Sequence, residues 1–271
     1  MATRIHNKDG VELFTHEGDL REALEAAIEA KVDLAKAVLD GVDLSGADLR
    51  KMSLRQVSLR GANLSGSDLS KANLTGADLS EANLRGANLE QVDMLETRLV
   101  GANLEGANLE DVRCVGANLS GITAQGANFE GADLERANLE GANLEGVNLE
   151  EARLGEANLK RVNLRRANLE EVDLSRADLS RADLRAANLE KVDLREALLV
   201  GANLREANLE KAQLDRADLT QASLDDANLE RASLAAATLT GATFSGANLH
   251  KVRGFVPPTN DGSPPPLAER S

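Results

Sequence analysis

The sequence contains no tryptophan and no tyrosine, and only four of its 271 residues are phenylalanine. Any hydrophobic core must therefore consist of small and medium aliphatic side chains, a composition that indicates a repeat architecture. Cysteine is nearly absent as well. The lone Cys114 excludes a disulfide within the chain and a zinc site built on a CxxC pair or a cysteine quartet. It occupies a core position of the repeat described below, so we interpret it as an inert buried thiol.

Long apolar runs are missing too. No stretch approaches the roughly eighteen consecutive apolar residues that a membrane-spanning helix needs, and residues 1–10 lack the apolar segment of a secretory signal. We therefore expect a cytoplasmic protein that binds no membrane. The formal net charge of −14 repels nucleic acid and anionic lipid, so we expect no direct nucleic-acid binding. Basic or DNA-binding proteins fit this charge better as partners.

A period of five residues dominates the chain. From Val32 onward, Ala-Asn-Leu-x-Gly and close variants recur without insertion or deletion, and every fifth residue from Leu34 to Leu249 gives 44 repeat centres. In an α-helix such leucines would spread over all faces, and in a strand they would alternate between two faces. A coil with sides of five residues sends every centre inward, so the period favours a solenoid.

These repeats resemble the pentapeptide-repeat proteins, whose motif has Ala or Val, then Asp or Asn, then a central Leu or Phe, then two freer positions. The resemblance implies an all-β, right-handed quadrilateral β-helix with four repeats per coil, which makes 11 coils of the 44 centres. At ~4.8 Å per coil the rod is roughly 50 Å long. We interpret the Asp or Asn before each centre as structural, since such side chains bond local backbone groups at tight corners.

Residues 1–31 are predicted to cap the first coil. Two short extended segments flank Lys8-Asp9-Gly10, a turn signal for a β-hairpin. Asp19 and Glu22 have the spacing of a capping box, and an apolar face follows to about Ala30, which predicts a short α-helix. A partner-binding role for this helix is the alternative.

Residues 32–253 form the predicted solenoid, and residues 254–271 a C-terminal plug followed by a proline-rich tail. The tail holds all five prolines and no hydrophobic periodicity, so we expect it to be disordered, with an SH3-type ligand as the alternative. The plug over the last coil is predicted from four apolar residues: Phe244, Val252, Phe255 and Val256.

No arrangement of residues suggests catalysis. The three histidines have no spacing typical of a metal site or of a base beside a nucleophile, and the glycines recur at repeat corners rather than between a strand and a helix. We therefore predict no enzyme, no catalytic residue, no metal and no cofactor. The favoured function is a non-catalytic binding or scaffold protein that presents its solenoid faces to protein partners, as a monomer or a weak oligomer through the solenoid ends.

One of the four faces differs from the others. At twenty residues per coil, the position after the centre is Glu in eight of 11 coils of this face and in four of 33 places elsewhere. Five successive coils carry −8, about one charge per 3 Å, close to the roughly 3.4 Å per phosphate of one DNA strand. The predicted partner-binding strip is Glu90, Glu110, Asp111, Glu130, Glu150, Glu151, Glu170, Glu171, Glu190, Glu210 and Glu230.

Three interpretations of this strip remain open. In the first, the strip is a docking site for a protein partner. In the second, it arose when duplication of a twenty-residue unit copied one Glu. The family resemblance supplies the third, a DNA mimic that binds and protects or inhibits a type II topoisomerase such as DNA gyrase. Basic residues on neighbouring faces are expected to neutralise part of the strip: Lys160, Arg161, Arg165, Arg166, Arg185 and Arg205.

A second, weaker contact site is predicted where outward apolar residues occur on adjacent coils. Leu95, Val100 and Val115 lie beside Arg98 and Arg113, which replace the usual Asp or Asn. Small apolar patches are common on protein surfaces, so a patch of this size predicts a contact site only weakly.

Overall fold

The structure is a computed structural model that describes residues 2–255. Its N-terminal elements are strands β1 (Ala2–His6) and β2 (Glu12–Glu17), paired antiparallel, and helix α1 (Leu20–Glu29). The turn between the strands includes Gly10, whose φ of +78° is a conformation that favours glycine. In this part of the chain, 2–255, no helix combines the length and apolar character that crossing a bilayer requires.

Helix α1 begins with the predicted capping box. The Asp19 carboxylate accepts from the backbone N–H of Glu22 at 2.9 Å, and the Glu22 carboxylate accepts from the backbone N–H of Asp19 at 2.9 Å. These two bonds satisfy donors that have no partner within the helix. On the opposite side of the helix, Ala23, Leu24 and Ala27 are buried in the same core as the solenoid.

Strand β1 continues the hydrogen bonding of the first coil. The His6 carbonyl accepts from the N–H of Val38 at 2.9 Å, and the N–H of Lys8 donates to the carbonyl of Lys36 at 3.0 Å. Hairpin and helix thus cover an end of the solenoid that would otherwise expose backbone and core. The apolar face of α1 is buried within the chain rather than free for a partner.

The solenoid is the predicted right-handed quadrilateral β-helix. Parallel bridges join residues 20 apart, from Val38–Ser58 to Ser233–Arg253, so each coil holds four pentapeptides. Within a coil each corner is closed by a bond across three residues, as from the N–H of Val92 to the carbonyl of Leu89 at 3.2 Å. The register of the faces, inferred from the period of five and the four repeats per coil that the family resemblance implies, is therefore confirmed.

Two inward positions of each repeat build the core, the centre and the residue two before it. From Leu54 to Leu234 these positions are fully buried, with Phe129 the largest side chain. The polar exceptions Ser67 and Thr97 donate their hydroxyl hydrogens to backbone carbonyls at 2.7 and 2.9 Å. Burial raises the pKa of the Cys114 thiol, in agreement with an unreactive core cysteine.

Every corner of the glutamate-bearing face has the left-handed backbone that favours glycine, yet glycine occupies only one of its 11 corners, Gly131. The other ten keep a charged or amide side chain at φ between 55° and 62°, as at Glu151 and Lys191. This conformation costs a non-glycine residue roughly 1 kcal/mol. The outward side chains at these corners are therefore retained against a conformational penalty.

At the C-terminal end, the rings of Phe244 and Phe255 meet edge to face with centroids 5.2 Å apart, and Val252 is partly buried against the core. The predicted plug residue Val256 and the proline-rich segment 257–271 lie outside the described residues.

Candidate functional site

An asparagine ladder underlies the glutamate strip. We call this side of the solenoid, with centres at every twentieth residue from Leu49 to Leu249, the glutamate face. The residue before the centre is Asn in nine successive coils, and each Nδ2 donates to the Oδ1 one coil earlier at 2.9–3.4 Å, ending on Asp68. The ladder asparagines are Asn88, Asn108, Asn128, Asn148, Asn168, Asn188, Asn208, Asn228 and Asn248.

The ladder also fixes the backbone that carries each Glu. Each ladder Oδ1 accepts the N–H of the residue after the centre, as Asn148 does from Glu150 at 3.3 Å. The second N–H of some amides reaches a carboxylate of the preceding coil, from Asn148 to Glu130 at 3.2 Å and from Asn168 to Glu150 at 3.1 Å. The carboxylates of Glu130 and Glu150 are thus held in line with the coils by side-chain as well as backbone bonds.

The strip divides into two parts that differ in ion pairing. In the first, no Lys or Arg nitrogen among the described residues lies within 4.0 Å of a carboxylate oxygen, whereas in the second cations of the same face meet the row. The first part, the unpaired segment, consists of Glu90, Glu110, Asp111, Glu130, Glu150 and Glu151. The second part, the paired segment, consists of Glu170, Glu171, Glu190, Glu210 and Glu230.

Two lysines at corner positions account for most of the pairing. Lys191 Nζ lies 3.2 Å from Glu170 and 2.7 Å from Glu171, which raises the pKa of Lys191. Lys211 Nζ lies 2.9 Å from Glu210 and 3.1 Å from Glu190. Its hydrogen bond lowers the pKa of Glu210.

Arg231 adds a weaker contact, 3.7 Å from Glu230. All of these groups are substantially exposed, so each pair contributes little to stability, typically under about 1 kcal/mol. The consequence of the pairing is therefore local. It cancels much of the negative charge of the paired segment.

The basic residues expected to neutralise the strip from neighbouring faces do not do so, and that prediction is wrong. Within the described range each pairs with another partner or with none. The reason is geometric, because side chains on a flat coil reach along their own face more readily than around a corner. The observed pairs are Lys160 with Asp178 at 3.0 Å, Arg161 with Glu140, Arg185 with Asp183 at 2.5 Å, and Arg205 with Asp225 at 3.4 Å and Asp226 at 3.7 Å.

The predicted apolar patch spans two faces. Leu95 and Val115 lie on adjacent coils of one face and Val100 on the next, and all three are partly buried. The two arginines beside them form coil-to-coil ion pairs, Arg98 with Asp78 at 3.8 Å and Arg113 with Asp93 at 3.3 Å. Contact with a partner at this patch stays a prediction.

Among residues 2–255, no group of three or more His, Cys, Asp or Glu side chains is arranged to hold a metal ion. The asparagine ladder, by contrast, was missed by the sequence analysis. Its signal was present as Asn at every twentieth position from Asn88 to Asn248 on one face. The structure adds the direction of the bonds and the division of the strip.

The pentapeptide-repeat family model matches this chain in eight copies over residues 37–76, 72–111, 113–150, 148–185, 182–221 and 212–250. The chain belongs to the pentapeptide-repeat family. Its architecture is accordingly that of a repeat scaffold, with outward side chains held on regular faces. None of the curated proteins matches the chain.

Several solved pentapeptide-repeat proteins are similar to this one. HetL of the cyanobacterium Nostoc sp. strain PCC 7120, involved in heterocyst differentiation regulation, is 32% identical over 88% of this chain and 97% of its own, with a TM-score of 0.41. QnrB1, a plasmid-mediated fluoroquinolone resistance protein, is 16% identical over 78% and 87%, with a TM-score of 0.40. A pentapeptide-repeat protein of the Arabidopsis thaliana thylakoid lumen is 30% identical over 36% and 72%, with a TM-score of 0.22.

Proposed function

We propose that this protein is a non-catalytic binding scaffold whose unpaired segment docks a Lys- and Arg-rich segment of a protein partner. The observation that carries the proposal is the division of the strip. Six carboxylates on four successive coils have no cation within 4.0 Å among the described residues, while those that follow on the same face do.

The unpaired segment is energetically costly for the free protein. Equal charges one coil apart, at ~4.8 Å, repel by roughly 1 kcal/mol per neighbouring pair even in bulk water. Asp111 and Glu151 add acidic side chains at corners with φ of 55° and 59°, where glycine would be unstrained. A cationic partner relieves the repulsion, and the asparagine ladder already holds the carboxylates of Glu130 and Glu150 in position.

Binding of a fluorescently labelled decalysine peptide, followed by anisotropy at low salt, tests this proposal. The variant Glu90→Gln, Glu110→Gln, Glu130→Gln and Glu150→Gln removes four charges from the unpaired segment and keeps side-chain shape. We expect its affinity to fall about tenfold or more, which corresponds to roughly 1.4 kcal/mol.

A matched control changes four exposed carboxylates that also have no cation within 4.0 Å in the described part of the chain but lie apart on other surfaces: Glu17→Gln, Glu29→Gln, Glu81→Gln and Glu96→Gln. Both variants have the same net charge, so an effect of total charge weakens them equally. An equal loss in the two variants therefore contradicts a docking site on the glutamate face.

A DNA mimic acting on DNA gyrase is the second candidate, favoured by the uniform spacing of one Glu per coil. Against it, the row is flanked by Arg50, Lys51 and Lys71 and is partly neutralised beyond Glu170. The acidic stretch without counter-ions is then about 14 Å from its first coil to its fourth, about four base pairs of duplex. A gyrase supercoiling assay decides this candidate, and absence of inhibition by the native protein ends it.

A cytoplasmic location belongs to the same proposal, because both candidate partners are expected there. Cell fractionation against a cytoplasmic marker tests it. Recovery of the protein in a membrane or lumenal fraction contradicts it.

A further inference from the structure

A different side of the solenoid carries charges of both signs in an ordered sequence. We call it the arginine face, with centres at every twentieth residue from Leu44 to Phe244. The outward residues after its centres are first uncharged, then of mixed charge, then three arginines, and finally an acidic and an uncharged residue. The first is Ser45, and the ten that follow are, in order, Ser65, Arg85, Glu105, Gln125, Glu145, Arg165, Arg185, Arg205, Asp225 and Ser245.

When a second copy of this series is laid against the first in the opposite direction, with the crossing point between Glu145 and Arg165, the charges of the two copies are complementary. No charge then meets a charge of the same sign, and the two uncharged ends meet each other. The resulting pairs are Ser65 with Ser245, Arg85 with Asp225, Glu105 with Arg205, Gln125 with Arg185, and Glu145 with Arg165.

We propose that the arginine face binds a second copy of this chain, antiparallel, about a two-fold axis that crosses the rod between the coils of Leu144 and Leu164. Such a contact is isologous, because each pair occurs twice, and closed two-fold dimers are the commonest protein assemblies. Opposite charges placed along a whole face also fix the register of the two copies.

Side-chain size along the two edges of the face supports the same pairing. Under this symmetry each edge meets the same edge of the other copy. On the edge after the centres, Gly106, Gly126 and Gly146 meet Glu206, Ala186 and Arg166. On the other edge, Gly101, Gly121 and Gly141 meet Gly201, Arg181 and Arg161. At five of these six positions a glycine leaves room for a larger residue of the other copy, and at the sixth two glycines meet.

The charges nearest the two-fold axis have no partner within the chain. Among the described residues, Glu145, Arg165 and Arg166 have no oppositely charged group within 4.0 Å, whereas the outer Arg85 and Arg205 pair within their own chain. Counting both edges over the three coils on either side of the axis, Glu105 and Glu145 give −2 on one side, and six arginines against Asp183 and Glu206 give +4 on the other. In the dimer, the charges nearest the two-fold axis therefore gain oppositely charged neighbours that they lack within one chain.

The glutamate face lacks this property. Reversed about the coil of Leu149, it places Glu150 opposite Glu150 and Glu130 opposite Glu170, so carboxylates face carboxylates along its central part. On the glutamate face, like charges therefore oppose antiparallel self-association about this coil. This inference is independent of the proposed function, which uses another side of the rod.

The size of the face indicates a weak dimer. Eight coils span about 38 Å and a side of four extended residues roughly 13 Å, which corresponds to roughly 1,000 Å² buried over both copies. That is at the lower limit for specific interfaces. Because the contact is mainly polar and charged, we expect micromolar affinity that falls with salt.

Sedimentation of the full chain at about 50 and 500 mM NaCl tests the proposal. We expect a monomer–dimer equilibrium at low salt, at least about tenfold weaker in Glu145→Arg and in Arg165→Glu. Combining the two changes restores the affinity, because the exchanged pair is again complementary. Arg136→Glu and Glu96→Arg are the matched controls on other faces, and circular dichroism checks folding.

Spin labels determine the direction of the two copies. Labels on Ser245→Cys are expected about 43 Å apart along the rod, nine coils at ~4.8 Å, whereas Ser245→Cys mixed with Ser65→Cys gives a short distance. A short distance between two Ser245→Cys labels shows a parallel or end-to-end dimer and overturns the proposal. So does a monomer at low salt, or a double variant no stronger than the single ones.

Discussion

The unpaired and paired segments occupy the same outward position of the same face, above the same asparagine ladder. They differ in what stands at the corners. Asp111 and Glu151 add negative charge beside the first segment, whereas Lys191 and Lys211 place ammonium groups within 3.2 Å of the second. A regular scaffold can therefore carry an uncompensated charge on one stretch and a neutralised one on the next without any change in backbone.

The largest effect is expected from the ladder, which the two segments share. Asn148→Ala removes hydrogen bonds to Asn128, Glu130, Glu150 and Asn168, and we expect it to cost about 2–3 kcal/mol in urea unfolding. Asn208→Ala, in the paired segment, should cost a similar amount.

Asn103→Ala is the control for that prediction, because within residues 2–255 Asn103 makes one side-chain bond, to the N–H of Glu105, and belongs to no ladder. It should cost about 1 kcal/mol. If Asn148→Ala and Asn208→Ala differ by more than about 1 kcal/mol, the two segments differ in their support and not in charge alone.

A smaller effect, with opposite signs in the two segments, is expected from removing single charges. Glu130→Gln relieves repulsion while its oxygen still accepts from Asn148, so it should stabilise the fold by less than about 1 kcal/mol at low salt. Glu190→Gln loses the contact with Lys211 and should destabilise the fold by a similar amount. Both changes should shrink in about 1 M NaCl, and equal signs would remove the distinction.

The smallest effect concerns one titration. Lys211 lowers the pKa of Glu210, so this pair contributes stability above the unfolded pKa of about 4.3, and the contribution is lost as pH falls through the lower folded value. In Lys211→Met the pKa of Glu210 should rise towards its ordinary value. Carboxyl NMR titration of Glu210 in the native protein and in the variant measures this. An unchanged Glu210 pKa means that the pairing does not persist in solution.

The period of five was sufficient to predict a coil, and the family resemblance added the four repeats per coil from which the four faces and the row of Glu follow, because each is a matter of which residues share an angular position. The capping box of α1 followed from Asp19 and Glu22. Ion pairing was harder to predict, since it depends on side-chain reach. The arginines near the strip were expected to turn the corner towards it, whereas Arg161 reaches Glu140 and Arg185 reaches Asp183.

The asparagine ladder and the self-complementary order of charges on the arginine face are both sequence patterns with a spacing of twenty residues. They became interpretable only when the direction of each side chain was known. The ladder needs alternating donors and acceptors one coil apart, and the dimer contact needs the order of charges along a whole face. Neither property belongs to a single repeat.

The unbroken twenty-residue bridging constrains how such a chain can lengthen. Inserting one pentapeptide would rotate every later repeat by a quarter turn, which would move the glutamate row, the ladder and the arginine series onto different sides before and after the insertion. Inserting twenty residues would leave all three in place and add about 4.8 Å of rod. The chain can therefore lengthen by whole coils and keep its surface pattern, whereas a change of length by any smaller step would disrupt that pattern.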